Sequence, residues 1–137
     1  MKLRSTDQEL RDEAEALAHV GSFVIDFGPT STSRWSAECR RILGVTVDAP
    51  GSREAFWSLV HPEDRERVAA ERDAALVARV PYDVTFRIRR ASDGEIRWVQ
   101  SRARPTLDEA GVVVGLVGVV LDIHAKRIAC DELRTSN

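Results

Sequence analysis

The clearest pattern in the chain is the alternation in "PYDVTFRIRR", where Tyr82, Val84, Phe86 and Ile88 interleave with Asp83, Thr85, Arg87 and Arg89. A period of two predicts a strand with one apolar and one polar face. "ASDGE" follows with an Asp93-Gly94 turn signal, and "EIRWVQSRARPTL" reads as the returning strand. After a second turn, "DEAG", the stretch "GVVVGLVGVVLDIHAKR" breaks the rule. From Gly111 to Leu121 it holds no charged or polar side chain, so both faces of this third strand are apolar. Its inward set is either Val117, Val119 and Leu121 or Leu116 and Val120. An apolar second face also predicts a cover, because an open patch of that kind invites association.

The first half carries the helical signals. Residues from about Ser5 to Ala18 read as an amphipathic helix, with Thr6 and Glu9 spaced as a capping box. Leu3, Leu10 and Leu17 recur every seven residues, a thin seam suited either to lying on its own domain or to pairing with another chain. "GSFVIDFG" reads as a first strand, with Phe23, Ile25 and Phe27 on one face. "PTSTS" is a loop. "RWSAECRRILGV" gives a short strand end, a Ser36 N-cap and a brief helix stopped by Gly44. "VDAPGS" is a second loop, and "REAFWSLV" a short apolar helix. "HPEDRERVAAERDAALVARV" is the strongest helix. Pro62 suits its first position, and Glu63 and Asp64 suit the positive end of its dipole. Val68, Ala75 and Leu76 form its apolar side. From about Ala125 the chain again looks helical and charged.

Strands and helices are segregated in this order, which points to an α+β fold. Two early and three late strands can form one five-stranded antiparallel sheet with the helices on one face. The chain's 137 residues suit one domain with a core of its own. The expected division is a flanking helix over 1–20, a core over 21–124 and the start of an exit helix over 125–137.

Charge and chemistry narrow the function. A net charge of −2 gives no global case for nucleic acid or membrane partners. No segment reads as a membrane span or signal peptide. Cys39 and Cys130 stand alone, which suits a reducing cytoplasm and predicts no metal site. No nucleophile elbow, P-loop, zinc-hydrolase or dinucleotide motif is present, so no catalytic residue is assigned. His61 reads as a helix cap and His124 as solvated. Glu63 and Arg67 read as a solvated charge pair. Asp26 and Asp83 alternate away from the apolar faces, against a buried-carboxylate enzyme such as a small isomerase or cyclase. The expected pocket is oily, with Phe23, Ile25, Trp35, Leu43, Phe56, Leu59, Val84, Phe86, Ile88, Val99 and Val120 as its candidate walls.

These segments resemble a PAS domain. The resemblance rests on "FWSLVHPEDRERV", "YDVTFRIRRASDGEIRWVQSRARP" and "VVGLVGVVLDIHAKR", with "GSFVIDFG" and "RWSAECRRILGV" before them, and covers about Gly21 to Arg127. It implies the strand order 2-1-5-4-3 and a sensory or dimerisation module, a homodimer upstream of an output domain such as a histidine kinase or diguanylate cyclase. The last strand of such domains commonly ends in Asp-Ile-Thr and leads into a signalling helix. Here Asp122 and Ile123 match, His124 replaces the Thr, and Arg97 is the candidate basic partner of Asp122. The resemblance argues against flavin, because the Asn-Cys-Arg-Phe motif of flavin-binding members is missing. It disfavours haem, because Glu63 to Val77 holds no His. A small metabolite or a filled core remains.

Overall fold

The computed structural model describes residues 6–28, 33–46 and 53–135. The loops expected at "PTSTS" and "VDAPGS" fall largely outside these residues, as does Leu3. The elements are α1 (Asp7–Ala18), β1 (Val20–Asp26), β2 (Ser33–Trp35), α2 (Ala37–Leu43), α3 (Arg53–Leu59), α4 (Pro62–Ala78), β3 (Tyr82–Arg89), β4 (Ile96–Leu107), β5 (Val113–Asp122) and α5 (His124–Thr135). The five strands form one antiparallel sheet in the order β2-β1-β5-β4-β3.

Local chemistry sets the element ends. The Thr6/Glu9 capping box forms, with the Glu9 N–H donating to Thr6 Oγ1 at 3.0 Å. The Ser36 hydroxyl accepts from Cys39 N–H and also from Ser22 N–H of β1, so one side chain both starts α2 and fastens it to the sheet. Gly44 ends α2 at φ 73°, a left-handed geometry that glycine adopts without strain. His61 caps α4, its Nδ1 accepting from Glu63 N–H.

Register decides which residues face the helices. Phe86 pairs with Val99, Ser101 with Val120, and Phe23 with Gly118. Tyr82, Val84, Phe86 and Ile88 of β3 therefore share the core face with Val99 and Ser101 of β4 and with Leu116 and Val120 of β5. This settles the alternative left open for β5: Leu116 and Val120 are buried, whereas Val117, Val119 and Leu121 lie half-buried on the outer face. The core-face side chains pack with Cys39, Ile42 and Leu43 of α2, Leu59 and Val60, and Val68 of α4. Gly21 lets α2 come this close, since a Cβ there would stand 2.4 Å from the Cys39 Cα.

Of the two arrangements open to the α1 seam, it does not take the one in which it lies on its own domain. Helix α1 rests on the start of β1 through Glu15, which accepts a hydrogen bond from the Ser22 hydroxyl at 2.9 Å. Its leucines do not cover the sheet: Leu10 is 53% exposed and Leu17 81%.

Candidate ligand cavity and exit junction

A cavity of about 60 Å³ lies between the core face of the sheet and α2, α3 and α4. Phe23, Ile25, Trp35, Leu43, Phe56, Val84, Phe86 and Val120 stand on its wall, as named from the sequence. Leu59, Ile88 and Val99 do not: they are buried in the packed core instead. Their strands and helix were placed correctly, but they sit nearer the Val60–Ile88 bridge, where the chain closes without a gap. The wall also includes Phe27, Ser33, Cys39, Trp57, Val68, Arg72, Tyr82, Ser101 and Leu116, which the sequence reading did not assign to a pocket.

The signal for several of these was present as helical spacing. Asp64, Val68, Arg72 and Ala75 lie at intervals of four, four and three on α4, which puts Arg72 on the inward stripe. Its guanidinium lies over the Trp57 ring at 4.9 Å, and its side chain is only 17% exposed. Phe56 meets Trp57 and Phe86 edge-on, with ring centroids 5.9 and 6.0 Å apart. Gly118 makes room for the Phe23 ring, whose Cζ would lie 2.7 Å from a Cβ. Burial pushes the Cys39 thiol up to about 12, more than the nearby Arg40 charge lowers it, so the thiol stays protonated at neutral pH. No carboxylate or histidine stands on the wall among the described residues.

A second arrangement begins where β5 ends. Arg97 Nε donates to Asp122 Oδ2 at 2.9 Å, and Arg97 Nη1 to Glu95 Oε1 at 2.5 Å. Asp122 Oδ1 accepts from His124 N–H at 2.9 Å. Burial raises the Asp122 carboxyl, but the bonds from Arg97 and His124 and the surrounding positive charge outweigh it, so its pKa is lowered. His124 is not solvated, contrary to the sequence reading. It is half-buried, and its Nδ1 accepts from the Trp98 backbone N–H at 3.2 Å. The imidazole thus gives the junction a hydrogen bond of its own. Ile123 N–H donates to the Trp98 carbonyl, and Arg127 returns from α5 to lie 4.2 Å over the Trp98 ring. Arg87 lies over the same ring at 5.5 Å.

At the same end of β3, Asp64 is buried and accepts from both the backbone N–H and the guanidinium of Arg87. Glu63 pairs with Arg87, and Arg67 with Asp64, rather than Glu63 with Arg67. Asp26 and Asp83 are exposed, as their alternation indicated.

A single antiparallel sheet closed on one face by short helices, with a small cavity beneath them, defines a sensory α+β module. A family model described as "PAS fold" matches residues 32–120, and the chain belongs to that family. It is 34% identical over 116 residues to "Sensor protein FixL" of Bradyrhizobium diazoefficiens, covering 85% of this chain and 23% of that protein. It is 35% identical over 114 residues to a "Blue-light-activated histidine kinase" of Brucella ovis, covering 83% of this chain and 22% of that one. A solved structure of a sensory box histidine kinase/response regulator from Burkholderia thailandensis superimposes with a TM-score of 0.75 at 30% identity, over 93% of this chain and 95% of that one. The chain therefore spans less than a quarter of the curated relatives it matches. The sensory reading is supported over the isomerase or cyclase reading. The expectation against a light-absorbing cofactor gains no support from these relatives, one of which is named as activated by blue light. No helix among the described residues is long and apolar enough to cross a membrane.

Proposed function

We propose that this PAS domain senses a small ligand in its core cavity and passes the change through the end of β5 into α5. The observation that carries the reading is continuity along one strand. Leu116 and Val120 line the cavity, and Asp122, two residues on, holds Arg97 of β4 and the first turn of α5. A ligand that shifts Val120 acts two residues from the ion pair that sets where the helix starts.

The cavity favours an occupant smaller than flavin or haem. Cofactor-sized sites run to roughly 300–1,000 Å³, against about 60 Å³ here. Haem further requires an axial ligand, and among the described residues the wall offers the protonated thiol of Cys39 and the phenol of Tyr82, whose pKa burial raises. A small metabolite is the occupant that the space and the oily wall favour.

The output domain follows α5 in a longer cytoplasmic protein, a histidine kinase by analogy with the relatives or a diguanylate cyclase. The domain works as a homodimer. Support comes from the exposed Leu10 and Leu17 and from Val117 and Val119, which lie in an open groove bordered by Ser22, Arg102 and Arg104.

Replacing Asp122 by Ala in the full-length protein tests the route. The isolated domain is expected to keep its circular dichroism spectrum, while ligand-dependent output falls about tenfold, the loss of one charge-assisted bond. Unchanged output would count against transmission through this junction.

A further inference from the structure

The cavity wall is mostly apolar; its polar side chains are Ser33, Arg72, Tyr82 and Ser101, and Arg72 is its one cation among the described residues. Arg72 reaches it from α4 and Tyr82 from the start of β3. Burial raises the Tyr82 pKa, opposed by the positive charge of Arg72, so the two groups lie close enough to sense each other and the phenol remains a donor at neutral pH. The Arg72 guanidinium is held against the Trp57 ring. Its Nε and Nη2 donate to Asp73 Oδ1 at 3.2 and 3.1 Å, and among the described residues no hydrogen bond reaches its Nη1. Asp73 is itself 64% exposed, so solvent screens that pair.

We propose that the cavity takes a small monocarboxylate, its branched or aromatic tail among Phe23, Phe56 and Phe86 and its carboxylate on Arg72 and the Tyr82 hydroxyl. This rests on the reading of the cavity as a ligand site and names the ligand class. A partly desolvated cation beside an oily wall favours an anion over a neutral ligand, because pairing offsets the cost of its desolvation. One cation matches one negative charge. A phosphate ester would carry about two into a wall that holds no second cation among the described residues. Size sets the tail. About 60 Å³ holds the equivalent of roughly four to six water-sized spheres. That is room for a branched four- or five-carbon chain or for part of one ring, with the head group at the mouth.

Calorimetric titration of the 137-residue chain with isovalerate and benzoate, against isopentanol and benzyl alcohol, tests the class. The acids are expected to bind about tenfold or more tightly than the alcohols, as a charge-assisted hydrogen bond gives. Arg72→Gln should abolish that preference by weakening acid binding about tenfold, and Tyr82→Phe should reduce it. Equal binding of acids and alcohols, or a preference that survives Arg72→Gln, overturns the proposal. Should Arg72→Gln fail to fold, wild-type protein decides: the preference must collapse as the acids become protonated below about pH 4, and persistence there overturns it. Alcohols binding without acids would reject the anion and keep the cavity as a ligand site. Binding of none of the four would reject both.

Discussion

Two aspartates carry much of the acid response of this domain. Asp64 is buried against Arg87, whose side-chain hydrogen bond is the main cause of its lowered pKa. Asp122 is lowered by Arg97 and His124 despite its burial. A carboxylate whose pKa is lower folded than unfolded stabilises the fold above its unfolded value, and that stability is lost as pH falls through the folded value. Urea unfolding between pH 7 and about pH 2 should therefore show stability falling below about pH 4. Asp64→Asn should be less stable than wild type at pH 7, with the gap closing toward about pH 2. A constant gap across that range would assign the loss to packing instead. His124 adds a different lesson. Its solvated assignment failed because the sequence shows that a residue follows a strand, not that the neighbouring strand leaves an N–H within its reach.

The helices and the hairpin were legible because each carries its own punctuation. Thr6, Ser36 and His61 cap as their spacing indicated, and β3 alternates without exception. Strand β5 was not legible in register, since Val117 and Val119 are as apolar as Leu116 and Val120. Only pairing with β1 and β4 fixes the parity. Arg72 was missed for a related reason. A charged residue on an amphipathic helix reads as solvated, yet its aliphatic stem lies along apolar surface while the head finds an aromatic face. At this scale the seam on α1 makes a prediction. Leu10→Glu with Leu17→Glu should shift a dimer toward monomer in sedimentation equilibrium, while the thermal midpoint of the monomeric fold moves little. Both side chains are exposed within their own domain. A dimer unaffected by the pair would place the contact elsewhere.

Across the whole molecule, packing is uneven, and that unevenness separates stability from sensing. Around Val60, Ile88 and Val99 the core is closed, each of these side chains being at most 1% exposed. Ile88→Ala should cost about 2–5 kcal/mol, measured by urea unfolding. Phe23, half-buried above Gly118 at the cavity, should cost less when truncated, because its removal widens a space already there. Equal costs would mean that the cavity closes in solution. Of the eight wall residues named from sequence, six lie on strands, whose inward face is readable, and Leu43 and Phe56 lie on the short helices α2 and α3. Leu59, Ile88 and Val99 share that inward property, and no pattern along the chain distinguishes a wall from a filled core.

The three tryptophans fall on either side of that division. Trp35 and Trp57 stand on the cavity wall, and Trp98 lies between Arg87 and Arg127 where the chain leaves the sheet. Indole emission responds to charge and to solvent at the ring. A chain keeping only Trp57 would therefore glow according to occupancy, and one keeping only Trp98 according to whether Arg127 is still in place. The domain carries its own optical reporters at entry and exit, so the delay between filling the cavity and moving the helix can be timed without attaching a dye.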